Sequence, residues 1–250
     1  MNVLLIGNGY WGKIIQTKLK KLFKLLFILD SKNDVNVYLK KHTKINCVFI
    51  CTPTITHYKL VKSCIENNIK TIFCEKPFTG DYIKARELLI LSKKRNVNIF
   101  IDNIFLYRNE FLNIKKSIYN KINFVWEKNE LKTNSIYKDN LINTLLYHDI
   151  YLLIKITDII KWDIIKKKIT EDELYLELNN GEITVIFNYN RNLKNKKIKK
   201  IKLNNEVIDF SFPKNDPLFE IIKKIKNNRI NYNDNNILTL RTLKILNNLK

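Results

Sequence analysis

A chain of 250 residues has enough material for one large domain or two modest ones with packed cores. Its 45% hydrophobic and 11% aromatic content excludes a disordered chain, and no apolar run reaches the length of a bilayer span. The formal charge of +21 invites a polyanion partner, but only six of the 45 basic residues are arginine, and lysine, asparagine and isoleucine are abundant throughout. That is the signature of an AT-rich coding sequence, so no specific nucleic-acid partner is expected.

The chain opens directly on the strand pattern Val3-Leu4-Leu5-Ile6, which predicts no signal peptide. Gly7-Asn8-Gly9-Tyr10-Trp11-Gly12 follows, and then a helix to about Leu22. Strands are expected at 25–29, ending on Asp30, and at 47–51, ending at Thr52-Pro53, where the missing N–H of Pro53 interrupts a ladder. Leu60, Val61, Cys64 and Ile65 recur at helical spacing. A fourth strand, 71–74, runs into Glu75-Lys76-Pro77; a helix over 81–94 and a fifth strand over 97–101 complete the alternation. Short apolar strands separated by helices predict a doubly wound parallel sheet covered on both faces, a Rossmann domain in 1–118. Cys47, Cys51, Cys64 and Cys74 all fall on these buried segments without metal-type spacing. They are expected to be reduced core thiols of a cytoplasmic protein with no metal site.

Three of the five glycines occupy the window 7–12. Gly7 is expected to make a tight turn, Gly9 to let backbone approach a pyrophosphate, and Gly12 to let helix pack on strand. The helix start then offers N–H groups and a positive dipole end to phosphates, with Asn8, Tyr10 and Trp11 around them. Asp30 stands 18 residues after Gly12, at the end of the second strand. An acid there binds ribose hydroxyls and repels a 2′-phosphate, so NAD is the expected cofactor and NADP the lesser one, with Lys32 the residue that leaves room for it.

From about Lys121 the periodicity changes to two. Ile122, Phe124 and Trp126 alternate with polar neighbours, as do Leu174, Leu176 and Leu178. Asn180-Gly181 marks a hairpin, and Ile183, Val185, Phe187 and Tyr189 continue the pattern. Strands over 197–203 and 206–212 extend a meander. The second half, 119–250, is therefore expected to be an antiparallel sheet backed by helices, with a mixed face near Tyr175 and Phe187 available for an oligomer contact. The basic run 191–202, alternating with Ile198 and Ile201, reads as a solvated strand edge.

Thr52-Pro53 followed by His57, and Glu75-Lys76-Pro77 after the next strand, resemble the Gfo/Idh/MocA family of sugar and cyclitol oxidoreductases. The stretch Asn103 to Tyr107 and the triplet His148-Asp149-Ile150 are similar to its nucleotide-sugar branch, and the closing helices opened by Asp216-Pro217-Leu218 and by about Asn236 resemble the closing elements of the family. The resemblance implies a role in carbohydrate metabolism: an NAD-dependent dehydrogenase that moves a hydride between nicotinamide and a hydroxyl or keto carbon of a sugar or nucleotide-linked sugar. It makes 119–250 an α/β domain on an open, mostly antiparallel sheet that binds substrate and pairs copies of the chain, and it places Thr52, Pro53, His57, Glu75 and Lys76 beside the cofactor. Lys76, Asn103, Tyr107, Thr144 and His148 would lie beside the substrate. Lys76 would hold the substrate oxygen, and Lys76 or His148 would take the hydroxyl proton. Thr144 stands where the family usually has Asp, four residues before the histidine. A hydroxyl does not accept a proton near neutral pH, so a non-catalytic NAD- or sugar-binding relative is the second reading. Bland roles also stand: a buried structural His148, since Leu141, Leu145 and Leu152 share its helical stripe, a structural contact for His57, and plain packing for Tyr107.

Overall fold

The computed structural model describes residues 1–30, 33–115, 117–129 and 140–249; Lys32 lies outside them. The chain divides into two compact units, Met1–Ile104 together with Pro217–Lys250, and Phe105–Asp216.

The first unit is built on five four-residue strands: β1 (Val3–Ile6), β2 (Leu26–Leu29), β3 (Cys47–Ile50), β4 (Thr71–Cys74) and β5 (Asn98–Ile101). Their order is β2-β1-β3-β4-β5, and every pairing is parallel. β1, β3 and β4 are buried along their whole length, as strands covered on both faces must be. Helices α1 (Tyr10–Leu22), α2 (Val35–Lys41), α3 (Thr54–Glu66) and α4 (Tyr82–Lys94) make the crossovers. Of these, α2 is not evident in the sequence. It is only seven residues long and is held by its cap, the Asp34 carboxylate, which accepts from the N–H groups of Asn36 (2.8 Å) and Val37 (3.2 Å).

The second unit begins with a one-turn helix, α5 (Asn109–Leu112), and the long strand β6 (Lys121–Asn129). A π-helical turn, Ile142–Leu146, leads into α6 (Tyr147–Thr157), whose residues 147–154 are all buried. Strands β7 (Asp163–Ile169), β8 (Glu173–Asn179), β9 (Thr184–Asn190), β10 (Asn192–Leu203) and β11 (Glu206–Asp209) follow. The sheet order is β11-β10-β6-β9-β8-β7. The expected meander is thus broken: β6 inserts between β9 and β10 and runs parallel to β9, while the other pairings are antiparallel. β7, absent from the sequence expectation, is the exposed edge strand; its lysines hide the period and protect the edge.

Two further expectations are corrected here. The basic run 191–202 is a sheet edge only in part, because from Lys200 onward β10 pairs with β6 on one side and β11 on the other, and Lys199 is only 3% exposed. Phe187 does not share an outer face with Tyr175. It is fully buried and stacks on Phe124, with centroids 5.0 Å apart and rings 8° from parallel.

The chain then returns to the first unit through α7 (Pro217–Lys226) and α8 (Tyr232–Asn248), the latter starting four residues earlier than the apolar pattern suggests because Asn231 caps it. Packing therefore divides the chain differently from the change of pattern near 118. α8 lies against β5, where the Asn235 carboxamide accepts from the Ile101 N–H (2.8 Å) and donates to the Ile101 carbonyl (2.9 Å). Asn235 occupies the hydrogen-bonding edge of the last strand as a sixth strand would.

Candidate functional site

In the first unit the glycine window forms the turn from β1 into α1. Gly7 has φ +97°, and a Cβ there would lie 2.6 Å from the Cys51 carbonyl oxygen. A Cβ on Gly12 would lie 2.1 Å from the Gly7 carbonyl oxygen, so the close pass of helix over strand requires glycine. Gly9 is different: nothing lies within 4 Å of the position its Cβ would take. Gly9 is also the N-cap of α1 and supplies no side-chain cap, so the first turn presents its N–H groups to open space. Asn8 and Tyr10 are exposed and Trp11 half-buried beside it. A dinucleotide pyrophosphate fits this cradle by shape and by the sign of the dipole. Asp30 is exposed at the end of β2, where a carboxylate could accept from the ribose hydroxyls of such a ligand.

Three loops meet at the carboxyl ends of β3, β4 and β5. Thr52 and Pro53 end β3, Pro53 caps α3, and the Thr52 hydroxyl lies 2.6 Å from that of Thr56. His57, 1% exposed, joins this loop to the next: Nε2 is 2.8 Å from the Thr52 carbonyl oxygen and Nδ1 is 2.9 Å from that of Pro77. Both partners only accept, so the two bonds together require both ring nitrogens to carry protons. His57 thus has the bracing role that its position at a helix start suggests.

Glu75 and Lys76 follow β4 and are half-buried. The Trp11 indole N–H donates to Glu75 Oε1, tying the first turn of α1 to this loop. A residue the sequence reading passed over completes the group. Asp102 follows β5 as Glu75 follows β4; the two strands are in register at Cys74 and Ile101, and the Asp102 N–H donates to the Cys74 carbonyl (3.0 Å). The Asp102 side chain shares a hydrogen bond with Glu75, and its Oδ1 has no hydrogen-bond partner. Desolvation pushes the Glu75 carboxyl up to about 7, against the bond from Asp102, the Lys76 charge and Trp11. Burial, and then the Glu75 charge, hold Asp102 well above the usual carboxylate range. An acid directly after a strand, the cue that singles out Asp30, applies equally to Asp102. Asn103 is buried, with its amide 3.5 Å from the Thr239 hydroxyl of α8.

In the second unit, His148 is the second residue of α6, two residues after the π-helical turn ends. Its Nδ1 is 3.0 Å from the Tyr151 hydroxyl, which also accepts from the Phe105 N–H (3.1 Å). Phe105 meets the imidazole edge-on at 4.7 Å and Trp126 stacks along it at 6.2 Å. Thr144 sits in the π turn, and its hydroxyl donates to the Asn140 carbonyl (3.0 Å). Tyr107 ends the 3₁₀ turn Ile104–Tyr107, and its carbonyl accepts from the Asn215 amide (2.8 Å).

Asp149, next to His148, is fully buried and makes an ion pair with Lys199 of β10. Trp126 Nε1 (2.6 Å) and the Tyr189 hydroxyl (2.8 Å) also donate to it. The Lys199 ammonium lies 3.7 Å from the centroid of the Trp126 ring and 4.7 Å from that of Phe105. Burial lowers the lysine to about 8 against the pull of Asp149, and raises the aspartate against that of Lys199. Lys199 is unmarked in the sequence, one of many lysines, and Asp149 is marked only as a member of the triplet His148-Asp149-Ile150, which does not reveal its partner.

No helix among the described residues is long and apolar enough to cross a membrane, and no group of three or more His, Cys, Asp or Glu among them is arranged to hold a metal ion.

Residues 27–103 match the family model of the GFO_IDH_MocA oxidoreductases, described as an NAD-binding Rossmann fold. An uncharacterized oxidoreductase of Schizosaccharomyces pombe is 34% identical over 92 residues; the match covers 35% of this chain and 25% of the relative's length. Two solved structures share the fold across both units. The WlbA dehydrogenase of Thermus thermophilus, determined with NAD and UDP-GlcNAcA, has a TM-score of 0.81 at 14% identity, over 98% of this chain and 94% of that one. The UDP-N-acetylglucosamine 3-dehydrogenase GnnA of Acidithiobacillus ferrooxidans has a TM-score of 0.79 at 16% identity, over 99% and 96%. Residues 27–103, which carry both the Thr52-Pro53 and the Glu75-Lys76-Pro77 loops, are thus the part of the chain that matches the Gfo/Idh/MocA oxidoreductase model, an NAD-binding Rossmann fold.

Proposed function

We propose that the chain is an NAD-dependent dehydrogenase that transfers a hydride between the nicotinamide and a hydroxyl or keto carbon of a sugar or nucleotide-linked sugar. The observation that carries this reading is the tie between the glycine helix and the Glu75-Lys76-Pro77 loop through Trp11, which puts a lysine at the strand end beside the cradle for a dinucleotide. The bound nicotinamide supplies the hydride chemistry. The window Gly7 to Gly12, with Asn8, Gly9, Tyr10 and Trp11, holds the pyrophosphate, and Asp30 the ribose. Thr52, Pro53, His57 and Glu75 shape the nicotinamide end. Lys76 stabilises the substrate oxygen as it becomes a carbonyl, and Lys76 or His148 takes the hydroxyl proton. Asn103, Tyr107 and Thr144 complete the proposed substrate residues; burial of Asn103 against α8 suits a supporting role. The nucleotide-sugar ligand of the WlbA structure supports the substrate class. A cytoplasmic location, with the four free thiols kept reduced, and a homo-oligomer paired through the second sheet belong to the same proposal.

One observation favours the second reading, a cofactor-binding relative without turnover. The Thr144 hydroxyl is turned back onto Asn140, and the carboxylate next to His148 is engaged by Trp126, Tyr189 and Lys199. A screen of nucleotide-linked sugars with NAD, following the absorbance of the reduced cofactor, separates the two readings. Turnover that falls by orders of magnitude in Lys76→Ala, with NAD affinity nearly unchanged, is expected of the enzyme. NAD binding without turnover, unrescued by Thr144→Asp, would establish the non-catalytic relative. Turnover indifferent to Lys76→Ala would remove the lysine from the chemistry.

A further inference from the structure

Glu75 and Asp102 are the first residues beyond two adjacent, register-matched parallel strands, and their side chains share a hydrogen bond. Ionised carboxylates only accept, so a bond between two of them requires one proton held in common. Asp102 is 1% exposed, and its Oδ1 has no hydrogen-bond partner. The groups around the pair leave few other candidates for that proton. From the β3 and β4 ends come the thiols of Cys51 and Cys74, which burial holds well above their ordinary values and so neutral. From the β4 loop comes the Lys76 cation, from α1 the Trp11 indole, and from α8 the uncharged Asn235 and Thr239, which bond Ile101 and Asn103 on either side of Asp102. His57 braces the same loops through the Thr52 and Pro77 carbonyls.

The sheet order decides which part of a dinucleotide meets this pair. With the pyrophosphate at the start of α1, after β1, and the adenosine ribose toward Asp30 on β2, the remaining half extends over β3, β4 and β5. The oxidised nicotinamide ring carries a positive charge and the reduced ring none. A cation arriving beside a protonated carboxyl pair favours its second ionisation, and a neutral ring of the same shape does not.

We propose that the Glu75–Asp102 pair senses the redox state of the cofactor: it keeps one proton in the free protein and in the complex with reduced dinucleotide, and releases it to solvent when oxidised dinucleotide binds. This rests on the reading of the first unit as an NAD site. The bond from Asp102 lowers Glu75 and the Glu75 charge raises Asp102, so Glu75, at about 7, ionises first and the shared proton stays with Asp102, held well above the usual carboxylate range. Tight binding of the oxidised cofactor is thereby tied to a less acidic solution.

Calorimetric titration of the full chain with NAD⁺ and with NADH, at neutral pH in two buffers of different ionisation enthalpy, counts the protons exchanged. NAD⁺ is expected to release roughly half a proton or more beyond NADH. Its affinity should rise with pH from neutrality upward, by up to tenfold per unit, while that of NADH stays flat. Asp102→Asn keeps the shape of the side chain and should abolish both differences; Glu75→Gln provides a second route if the first variant does not fold. Equal proton counts for the two dinucleotides would overturn the proposal and leave the NAD site standing. A difference surviving in both variants would assign the proton to Lys76 or His57 and overturn it too. Binding of neither dinucleotide would refute the NAD reading itself, and this inference with it.

Discussion

Lys199→Met removes the buried ammonium of the second unit while keeping most of its bulk. The Asp149 carboxylate then retains the Trp126 and Tyr189 donors on Oδ2, while its Oδ1 loses the ammonium. Breaking a buried pair from one side costs about 3–5 kcal/mol. The two surviving bonds to a charged acceptor, roughly 1.5–3 kcal/mol each, place the expected loss at the lower end, about 3 kcal/mol at neutral pH. The pH dependence follows from the direction of the aspartate shift. Burial already raises Asp149, with Lys199 the largest opposing influence, so removing the lysine raises it further. A carboxyl raised in the folded state contributes stability that is present in full below its unfolded value, about 3.9, and is lost as pH rises through the folded value. The deficit of Lys199→Met should therefore be small near pH 4 and grow toward neutrality. It should stop growing above about 8, where the wild-type amine sheds its own proton. Urea unfolding followed by tryptophan fluorescence at about pH 4.5 and 7.5 measures it. Adding Asp149→Asn removes the stranded charge but keeps an oxygen for Trp126 and Tyr189, and should recover half the loss or more. A deficit equal at both pH values, or a double variant as unstable as the sum of the single ones, would refute this account of the ion pair.

Three further outcomes are expected from the first unit. Gly9→Ala puts a methyl into open space and should change stability by under about 1 kcal/mol while weakening NAD(H) binding, whereas Gly12→Ala, with its Cβ 2.1 Å from the Gly7 oxygen, should cost about 2 kcal/mol or more. If unfolding and NAD(H) titrations treat the two variants alike, the division of labour between these glycines is wrong. Nitrogen NMR of the His57 ring near pH 7 should show both nitrogens protonated; a bare-nitrogen signal would mean that one of its two carbonyl contacts is lost in solution. Asp30→Ala should narrow a preference for NAD(H) over NADP(H), and tighter NADP(H) binding by the unmodified chain would defeat the ribose argument.

The first sheet was legible because its strands are short, mostly apolar runs that end within three residues of a glycine, an acid or a proline, and β1, β3 and β4 are buried along their whole length. The second sheet was legible where alternation is strong, as in Leu174, Leu176 and Leu178, and illegible in β7, whose exposed lysines follow no period. The position of β6 between β9 and β10 was out of reach because local pattern gives a strand its faces but not its neighbours. Among site residues, those belonging to a contiguous motif (Gly7 to Gly12, Glu75 to Pro77) could be found from sequence. Asp102 carries the same strand-end cue as Asp30, but its partnership with Glu75, 27 positions earlier, is not legible, and Lys199 carries no cue at all, since it acquires its chemistry from Asp149, 50 positions away.

The Asn235 carboxamide against Ile101 also bears on the order of assembly. As the ribosome delivers the chain, all five strands of the first sheet emerge well before α8, so β5 has no Asn235 to cover it while the whole second unit is being made. That second unit is continuous in sequence and holds its own buried ion pair, so it can close before the first unit does. A chain stopped at residue 216 would present β5 as an open strand able to recruit another copy.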